Sequence, residues 1–274
     1  MFFKISISTK SIVLLTFLAM VVACGSPSSK ARNDQSKRAT EQTPGSNSKA
    51  KKSHSPQEES GENQAPLTKT SVRTFYTKYA AQNSNNQIII ETDFGSITIR
   101  LYQNTPLHRA NMLYLTEQDY FNGTWFHRVS KGHVIQAGNN DEPATVEKRK
   151  ALGEYTIPAE ALDKNYHKKG AVAAARSYSN NPQKRSDPFE FYIVLGSTFT
   201  SGQLKAMADK EGISFSPQQT EIYTTVGGAP HLDGEHTVFG EVLEGMDVVE
   251  AISKVEVDSG EWPLKNVPIR VRIP

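Results

Sequence analysis

The sequence has few cysteines and almost no net charge, and each shortage excludes a class of protein. Its 274 residues include one cysteine, so the chain can form neither an intramolecular disulfide nor a four-cysteine zinc module. The 31 basic residues nearly balance the 29 acidic ones, so the charge gives no reason to expect nucleic-acid binding. Hydrophobic residues make up only 37% of the chain, which indicates that part of it lies outside a packed core.

The sequence also lacks the common local motifs of catalysis. It contains no Gly-x-Ser-x-Gly elbow, no Gly-x-x-x-x-Gly-Lys phosphate loop and no His-Glu-x-x-His zinc motif. Two histidine pairs, His127 with His133 and His231 with His236, suggest a metal site only weakly, because neither has the spacing of a strong ligand motif. We therefore expect no metal and no cofactor.

The N-terminus has the pattern of a secretion signal. Lys4 and Lys10 precede a run of apolar residues at 12–23, which only Thr16 interrupts. The run is shorter than the roughly 20 residues that a membrane-spanning helix needs. It ends at Cys24, which is flanked by small residues, and this arrangement resembles the lipobox of bacterial lipoproteins. The alternative is an ordinary cleaved signal followed by an incidental cysteine.

The lipobox resemblance implies a lipid-anchored envelope protein. Residues 1–23 would be the signal peptide, and an acylated Cys24 would bind membrane lipid. Gly25 is not acidic, which favours the outer membrane. Residues 24–70 are dominated by polar residues and lack aromatics, so they predict a disordered linker. Residues 71–86 form a transitional segment in which Phe75, Tyr76 and Tyr79 indicate a short helix.

Residues 87–274 carry the patterns of a folded, mainly β domain. Ile88 and Ile90, then Ile97 and Ile99, alternate with polar residues on either side of a turn, which predicts a hairpin. Further strands are predicted at 125–129, 133–137, 171–175, 191–194, 238–242 and 267–273. Many short strands with glycine-rich turns favour a closed antiparallel barrel.

Four helices interrupt these strands. The first begins at Pro106, with Thr105 as its N-cap, and reaches about residue 119. Two lie in an apparent insertion near 200–225, where Ser216 and Gln219 have the spacing of a capping box. The last is predicted over 244–254.

Several strings in this domain resemble the cyclophilin-type peptidyl-prolyl cis/trans isomerases. They occur in the family's order and cover essentially all of residues 87–274. The closing segment and the inserted helices are most similar to the lipoprotein cyclophilins of Bacteroidetes-type bacteria. The strings are Asp93-Phe94-Gly95-Ser96-Ile97, Trp125-Phe126-His127-Arg128-Val129, Val134-Ile135-Gln136-Ala137-Gly138, Phe191-Tyr192-Ile193 and the stretch from His231 to Val242.

The resemblance implies a closed eight-stranded antiparallel barrel capped by two helices, and an isomerase of X–Pro bonds. Arg128 matches the catalytic arginine of the family, and Gln136 matches the glutamine that holds the substrate backbone. His127 matches a residue that we interpret as structural, under the barrel. The positions that match the family's proline pocket and peptide contacts are His133, Val134, Ala175, Tyr192, Leu232 and His236.

Some positions depart from the family pattern. His133 stands in place of a phenylalanine and Val134 in place of a methionine, and His231 stands where some members have tryptophan. Residues 188–190 read Pro-Phe-Glu where the family has Gly-Ser-Gln. A pocket of this kind is compatible with weak catalysis, so two alternatives stay open. One is a peptide-binding or chaperone lipoprotein with a cyclophilin fold, and the other is a purely structural envelope lipoprotein.

The expected partners follow from this assignment. They are proline-containing peptides or unfolded proteins and, through Cys24, membrane lipid. We expect a monomer and no nucleic-acid partner.

Overall fold

The computed structural model describes residues 65–274. The predicted signal peptide, Cys24 and the predicted linker up to residue 64 lie outside the described residues. None of the helices in the described part has the length and apolar character that crossing a bilayer requires. The helices are α1 (Val72–Gln82), α2 (Pro106–Glu117), α3 (Pro143–Leu152), α4 (Ser201–Glu211), α5 (Pro217–Thr225) and α6 (Met246–Ile252).

The strands confirm a mainly β domain. They are β1 (Leu67–Thr68), β2 (Gln87–Thr92), β3 (Gly95–Leu101), β4 (Trp125–Ser130), β5 (Val134–Asn139), β6 (Gly153–Glu154), β7 (Ala171–Ala174), β8 (Phe191–Val194), β9 (Val238–Glu244) and β10 (Arg270–Arg272). Eight of them form one antiparallel sheet in the order β10-β2-β3-β9-β7-β8-β5-β4, and β1 pairs in parallel with β6.

β2 and β3 form the predicted hairpin. Ile88 pairs with Ile99 and Ile90 with Ile97, and all four side chains have no exposed surface. Because successive side chains of a strand point to opposite faces, this register places the isoleucines together on the face that forms the core. The alternation in the sequence therefore set both the strands and their register.

The C-terminal segment shows that a fully closed barrel is an overstatement. The segment pairs with β2 only over Arg270–Arg272. Just before it, Pro268 makes an isolated bridge to Trp125 of β4, supported by the bonds Phe126 N–H to Val267 O at 2.9 Å and Ile269 N–H to Thr124 O at 2.8 Å. The two outer strands of the sheet are thus joined by a few bonds and not by a continuous ladder.

Helices α2 and α6 pack against this sheet, as the two predicted capping helices should. α2 lies against β9, β10 and α1, and every residue from Leu107 to Thr116 is buried. α6 lies against β3. Thr105 precedes α2 as predicted, but its hydroxyl donates to Tyr102 O at 3.3 Å and caps no helix N–H group, so its predicted capping role is wrong.

The predicted helical insertion near 200–225 is confirmed as α4 and α5. Ser216 and Gln219 form the predicted capping box, with Ser216 Oγ accepting the Gln219 N–H at 3.2 Å and Gln219 Oε1 accepting the Ser216 N–H at 3.0 Å. α3 was not predicted. Thr145 is its one buried residue, so the helix has no apolar stripe that a periodicity argument could detect.

The segment before residue 87 is part of the folded unit. The predicted short helix is present as α1, and its Tyr76 is fully buried with its hydroxyl bonded to Asn111 Oδ1 at 2.9 Å and Tyr155 Oη at 2.8 Å. Leu67 is only 4% exposed and pairs with Gly153 in β1–β6. The predicted linker, which ended at residue 70, therefore extends too far along the chain, because Leu67 already belongs to the folded unit.

Replacing Tyr76 should test how much this N-terminal helix contributes to the fold. We expect Tyr76→Ala to lower the free energy of unfolding by about 3–5 kcal/mol, because it leaves a cavity and removes one of the two hydroxyl donors to Asn111 Oδ1. Leu264→Ala removes a side chain that is 66% exposed and should change stability by less than about 0.5 kcal/mol. Urea unfolding of the chain from residue 65 measures both, and equal effects of the two variants would contradict this role of α1.

Candidate active site

Four neighbouring strands place three of the predicted site residues, Arg128, Gln136 and Tyr192, in one row. Arg128 of β4 lies opposite Gln136 of β5, Gln136 opposite Tyr192 of β8, and Tyr192 opposite Ala173 of β7. Residues that are directly paired across antiparallel strands point to the same face of a sheet. Ile135, the neighbour of Gln136, belongs to the buried core on the other face. The row therefore lies on the outside of the sheet.

A bulge in β4 sets the position of Arg128. Phe126 pairs with Ala137 and Arg128 with Gln136, so His127 is an extra residue between two paired ones. A bulge turns the side chains that follow it toward a new direction. His127 was expected under the barrel, and it is buried; its Nε2 lies 3.5 Å from Glu190 Oε2, so it also borders the site.

Glu261 holds the guanidinium of Arg128. The distance from Arg128 Nη2 to Glu261 Oε2 is 2.7 Å, and both side chains are about 40% exposed, at 40% and 39%. Glu261 lies in the loop between α6 and β10, and β4 holds this loop as well. Ser130 Oγ donates to Glu261 Oε1, and the Val129 N–H donates to the Glu261 carbonyl. The Ser130 hydroxyl and the Arg128 charge hold the pKa of Glu261 below its usual value.

Gln136 is held by a second carboxylate. Its Nε2 donates to Glu190 Oε2 at 2.8 Å, while Arg149 Nη2 of α3 lies 3.3 Å from Glu190 Oε1. Burial alone would raise the pKa of Glu190, but His127, Arg149 and Gln136 together outweigh it and hold the pKa below its usual value. Glu190 is therefore an ionised, acceptor-only group.

The predicted proline pocket coincides with a small apolar cluster beside this row. Val134, Tyr192 and Leu232 belong to the cluster, and they are 3%, 4% and 9% exposed. His236, 8% exposed, packs against the Tyr192 ring with centroids 5.6 Å apart. Ala175 is half-buried at the end of β7. The structure thus brings the predicted binding residues together in a packed wall.

His133 lies at the edge of this wall and stacks on His231. Their ring centroids are 5.2 Å apart with an interplanar angle of 26°. Burial lowers the pKa of His133, and the nearby His231 and Arg128 lower it further. Burial also lowers the pKa of His231. Both imidazoles therefore favour the neutral form near pH 7.

His236 is neutral as well, and its hydrogen bonds fix its tautomer. Its Nδ1 lies 3.1 Å from the carbonyl of Ala174, so Nδ1 carries the proton. Its Nε2 then accepts from the Tyr178 hydroxyl at 2.8 Å. Burial lowers the pKa of His236 to about 4. A buried, neutral imidazole of this kind suits the predicted role of His236 as a packing wall and not as a group that transfers protons.

The hydroxyl of Tyr192 points away from the row and into a buried polar network. It lies 3.1 Å from His167 Nε2, and His167 Nδ1 lies 3.0 Å from Asp233 Oδ1. Asp233 Oδ2 accepts from Gln219 at 3.1 Å and from Tyr223 at 2.6 Å, and both belong to α5. Helix α5 therefore supports the hydroxyl end of Tyr192 through Asp233 and His167.

Sequence reasoning found the residues of the row and missed the groups that hold them. Glu190 was noticed only as a departure from the family pattern, and Asp233 only as part of the segment around His231. No motif in the sequence indicated Glu261, Arg149 or His167. Within residues 65–274, no three or more His, Cys, Asp or Glu side chains are grouped as a metal site would require.

Comparison with known proteins assigns a family to the domain. Residues 87–272 match the sequence family described as cyclophilin-type peptidyl-prolyl cis-trans isomerases. A protein of Staphylococcus saprophyticus, provisionally named a peptidyl-prolyl cis-trans isomerase, is 27% identical over 199 residues, which are 72% of this chain and 96% of the relative. A relative of the same name from Staphylococcus aureus is 27% identical over 194 residues, 69% of this chain and 91% of its own length.

Two solved structures are similar to the chain at lower identity. Both are of a cyclophilin-type peptidyl-prolyl cis-trans isomerase from Cryptosporidium parvum, one of them obtained in the presence of the dipeptide Ala-Pro. Each is 19% identical and covers 69% of this chain and 98% of its own, with TM-scores of 0.49 and 0.47.

Proposed function

The chain belongs to the family of cyclophilin-type peptidyl-prolyl cis-trans isomerases, and we propose that the row of Arg128, Gln136 and Tyr192 is its active site. The observation that carries the proposal is the register of β4, β5 and β8. This register brings the Arg128 guanidinium, the Gln136 amide and the apolar cluster next to one another on a single face.

The chemistry needs neither a nucleophile nor a metal. Rotation about an X–Pro bond must break the conjugation between the nitrogen lone pair and the carbonyl, against a barrier of about 20 kcal/mol. A catalyst lowers this barrier by binding the twisted amide more tightly than either planar isomer. The guanidinium of Arg128 stays charged and can donate to the nitrogen lone pair or to the neighbouring carbonyl as the bond twists.

Gln136 and the apolar wall supply the binding. The Gln136 amide would hold the peptide backbone, and the proline ring would rest against Val134, Tyr192 and Leu232, with His133 at the edge. Ala175 and His236 complete the surface that faces the peptide. Proline-containing peptides or unfolded proteins are the proposed ligands.

A binding protein with weak activity is the second candidate. One observation favours it: Arg128 is already paired with Glu261. Such a protein would use the same face to hold unfolded segments as a chaperone. The first candidate is preferred because Arg128 and Gln136 are both in place.

The setting of this activity is also a proposal. The lipobox-like sequence at Cys24 supports acylation, a membrane anchor, and substrates among the proteins of a bacterial envelope. Gly25 favours the outer membrane, with the domain facing the periplasm or the surface. We also propose that the domain acts as a monomer.

Arg128→Ala tests the catalytic assignment. We expect kcat/KM for a prolyl peptide to fall about 100-fold, since one transition-state donor is worth roughly 2.7–4 kcal/mol. Arg272→Ala is a matched control, because Arg272 is also half-exposed and ion-paired, with Glu91, on an outer strand. A protease-coupled assay on residues 65–274 measures both. An active wild type that is unaffected by Arg128→Ala would rule out this role.

The charge of His133 should make activity depend on pH. A proline that packs on His133 must desolvate it, so the neutral form is favoured, and the lowered pKa of His133 places its protonation below pH 6.5. We expect kcat/KM to be constant above pH 6.5 and to fall below it. His133→Phe should raise kcat/KM at pH 5.5 and flatten this decline. If the decline at low pH persists in His133→Phe and is lost in His231→Phe, His231 and not His133 controls the pH dependence.

Cys24→Ser tests the anchor. Loss of the only cysteine should abolish fatty-acid labelling and leave the protein either as uncleaved precursor or outside the membrane fraction. Ser26→Ala, two residues further on, should leave both properties unchanged. Processed Cys24→Ser protein that still sediments with membranes would contradict the lipoprotein assignment.

A further inference from the structure

The side chain of Gln136 ends in two chemically different atoms. An amide can donate through Nε2 or accept through Oε1, and which end faces a ligand depends on its neighbours. The neighbour here is Glu190, whose Oε2 lies 2.8 Å from Gln136 Nε2. An ionised carboxylate only accepts hydrogen bonds, so it selects one orientation of the amide.

Glu190 is itself fixed by groups outside the row. Its side chain is 18% exposed and lies next to Arg149 of α3, at 3.3 Å. Arg149 is anchored on β5, because its Nη2 donates to Gly138 O at 3.1 Å and its Nε donates to the Tyr120 hydroxyl at 2.8 Å. Gly138 lies two residues after Gln136 on the same strand.

The segment before Glu190 is clamped in the same way. Phe189 packs against the ring of Tyr120, with centroids 4.9 Å apart, and under the Arg149 guanidinium, which lies 5.3 Å from its ring centre. The carbonyl of Pro188 accepts from Asn111 Nδ2 at 2.7 Å. The carboxylate thus has little freedom to leave Gln136.

We propose that Glu190, held by Arg149, is a positioning residue that orients the Gln136 amide so that its Oε1 accepts a backbone N–H of the bound peptide. The inference rests on the proposed active site and adds to it a direction for one substrate contact. A glutamine at position 190 could pair with either end of the Gln136 amide, whereas a glutamate can pair with only one. The lowered pKa of Glu190 supports the ionised state that this selection needs.

A double-mutant cycle tests the positioning role. Glu190→Gln keeps the size of the side chain, and we expect it to lower kcat/KM about tenfold, the scale of one misplaced hydrogen bond, mainly through KM. In a Gln136→Ala background the same change should have no further effect, because two residues that act through one contact are not additive. Glu241→Gln is the control, since Glu241 lies on β9 of the same sheet, is also shielded, at 12% exposed, and is paired with Lys168 and Arg100.

The outcomes separate the proposal from the proposed function. If Glu190→Gln is harmless while Gln136→Ala is not, or if its effect persists in the Gln136→Ala background, the positioning role is overturned and the active site stands. If Arg128→Ala and Gln136→Ala both leave activity unchanged, the active-site assignment itself fails. A comparable loss in Glu241→Gln would show a general effect of removing a carboxylate and would also overturn the proposal.

Substrate esters test the direction of the contact. Prolyl peptides in which one backbone N–H at a time is replaced by an ester oxygen lose a donor without losing length. We expect one such position to cost about tenfold in kcat/KM with the wild type and nothing with Gln136→Ala. If no position shows this dependence on Gln136, the accepting role of Oε1 is overturned.

Discussion

The antiparallel pairing of β4, β5, β8 and β7 is the constraint on which the candidate site depends. Backbone hydrogen bonds fix which residues lie opposite one another, and side-chain direction follows from that register. A shift of one residue in β5 would send Gln136 into the core and bring Ile135 to the outer face. The position of Arg128 beside Gln136 is therefore a property of the sheet, and its local aim comes from the bulge at His127.

Three polar side chains of the site are each held by a partner. Glu261 pairs with Arg128, Glu190 with Gln136, and Asp233 through His167 with Tyr192. A polar group that loses water without gaining a hydrogen bond costs about 1–3 kcal/mol, so such partners are expected wherever the site is shielded. They come from the C-terminal loop, from the chain before β8 and from the loop before β9.

The long-range contacts of these partners explain why the sequence predicted the residues of the row but not the side chains that hold them. Alternating isoleucines, the capping box at Ser216 and the family strings all are local patterns, so the hairpin, the insertion and the row could be read from short stretches. Glu261 meets Arg128 across more than 130 positions of chain, and no local pattern records that contact. Helix α3 was not predicted for a related reason, since a helix with one buried residue has no periodic apolar face in its sequence.

The pair between Arg128 and Glu261 has a bearing on which of the two functional candidates is preferred. A half-exposed ion pair contributes only about 0–1 kcal/mol, because water already solvates both charges. A donor aimed at a twisted amide in a desolvated site is worth roughly 2.7–4 kcal/mol. Because the second quantity exceeds the first, a bound X–Pro bond can compete for the guanidinium even if Glu261 must give up one contact.

Arg128 also has five N–H donors, and Glu261 occupies the Nη2 end. The remaining donors can therefore face the substrate while the ion pair keeps the side chain in place. The ion pair is thus compatible with catalysis, and it restricts the motion of a long side chain that would otherwise lose entropy when it binds the substrate.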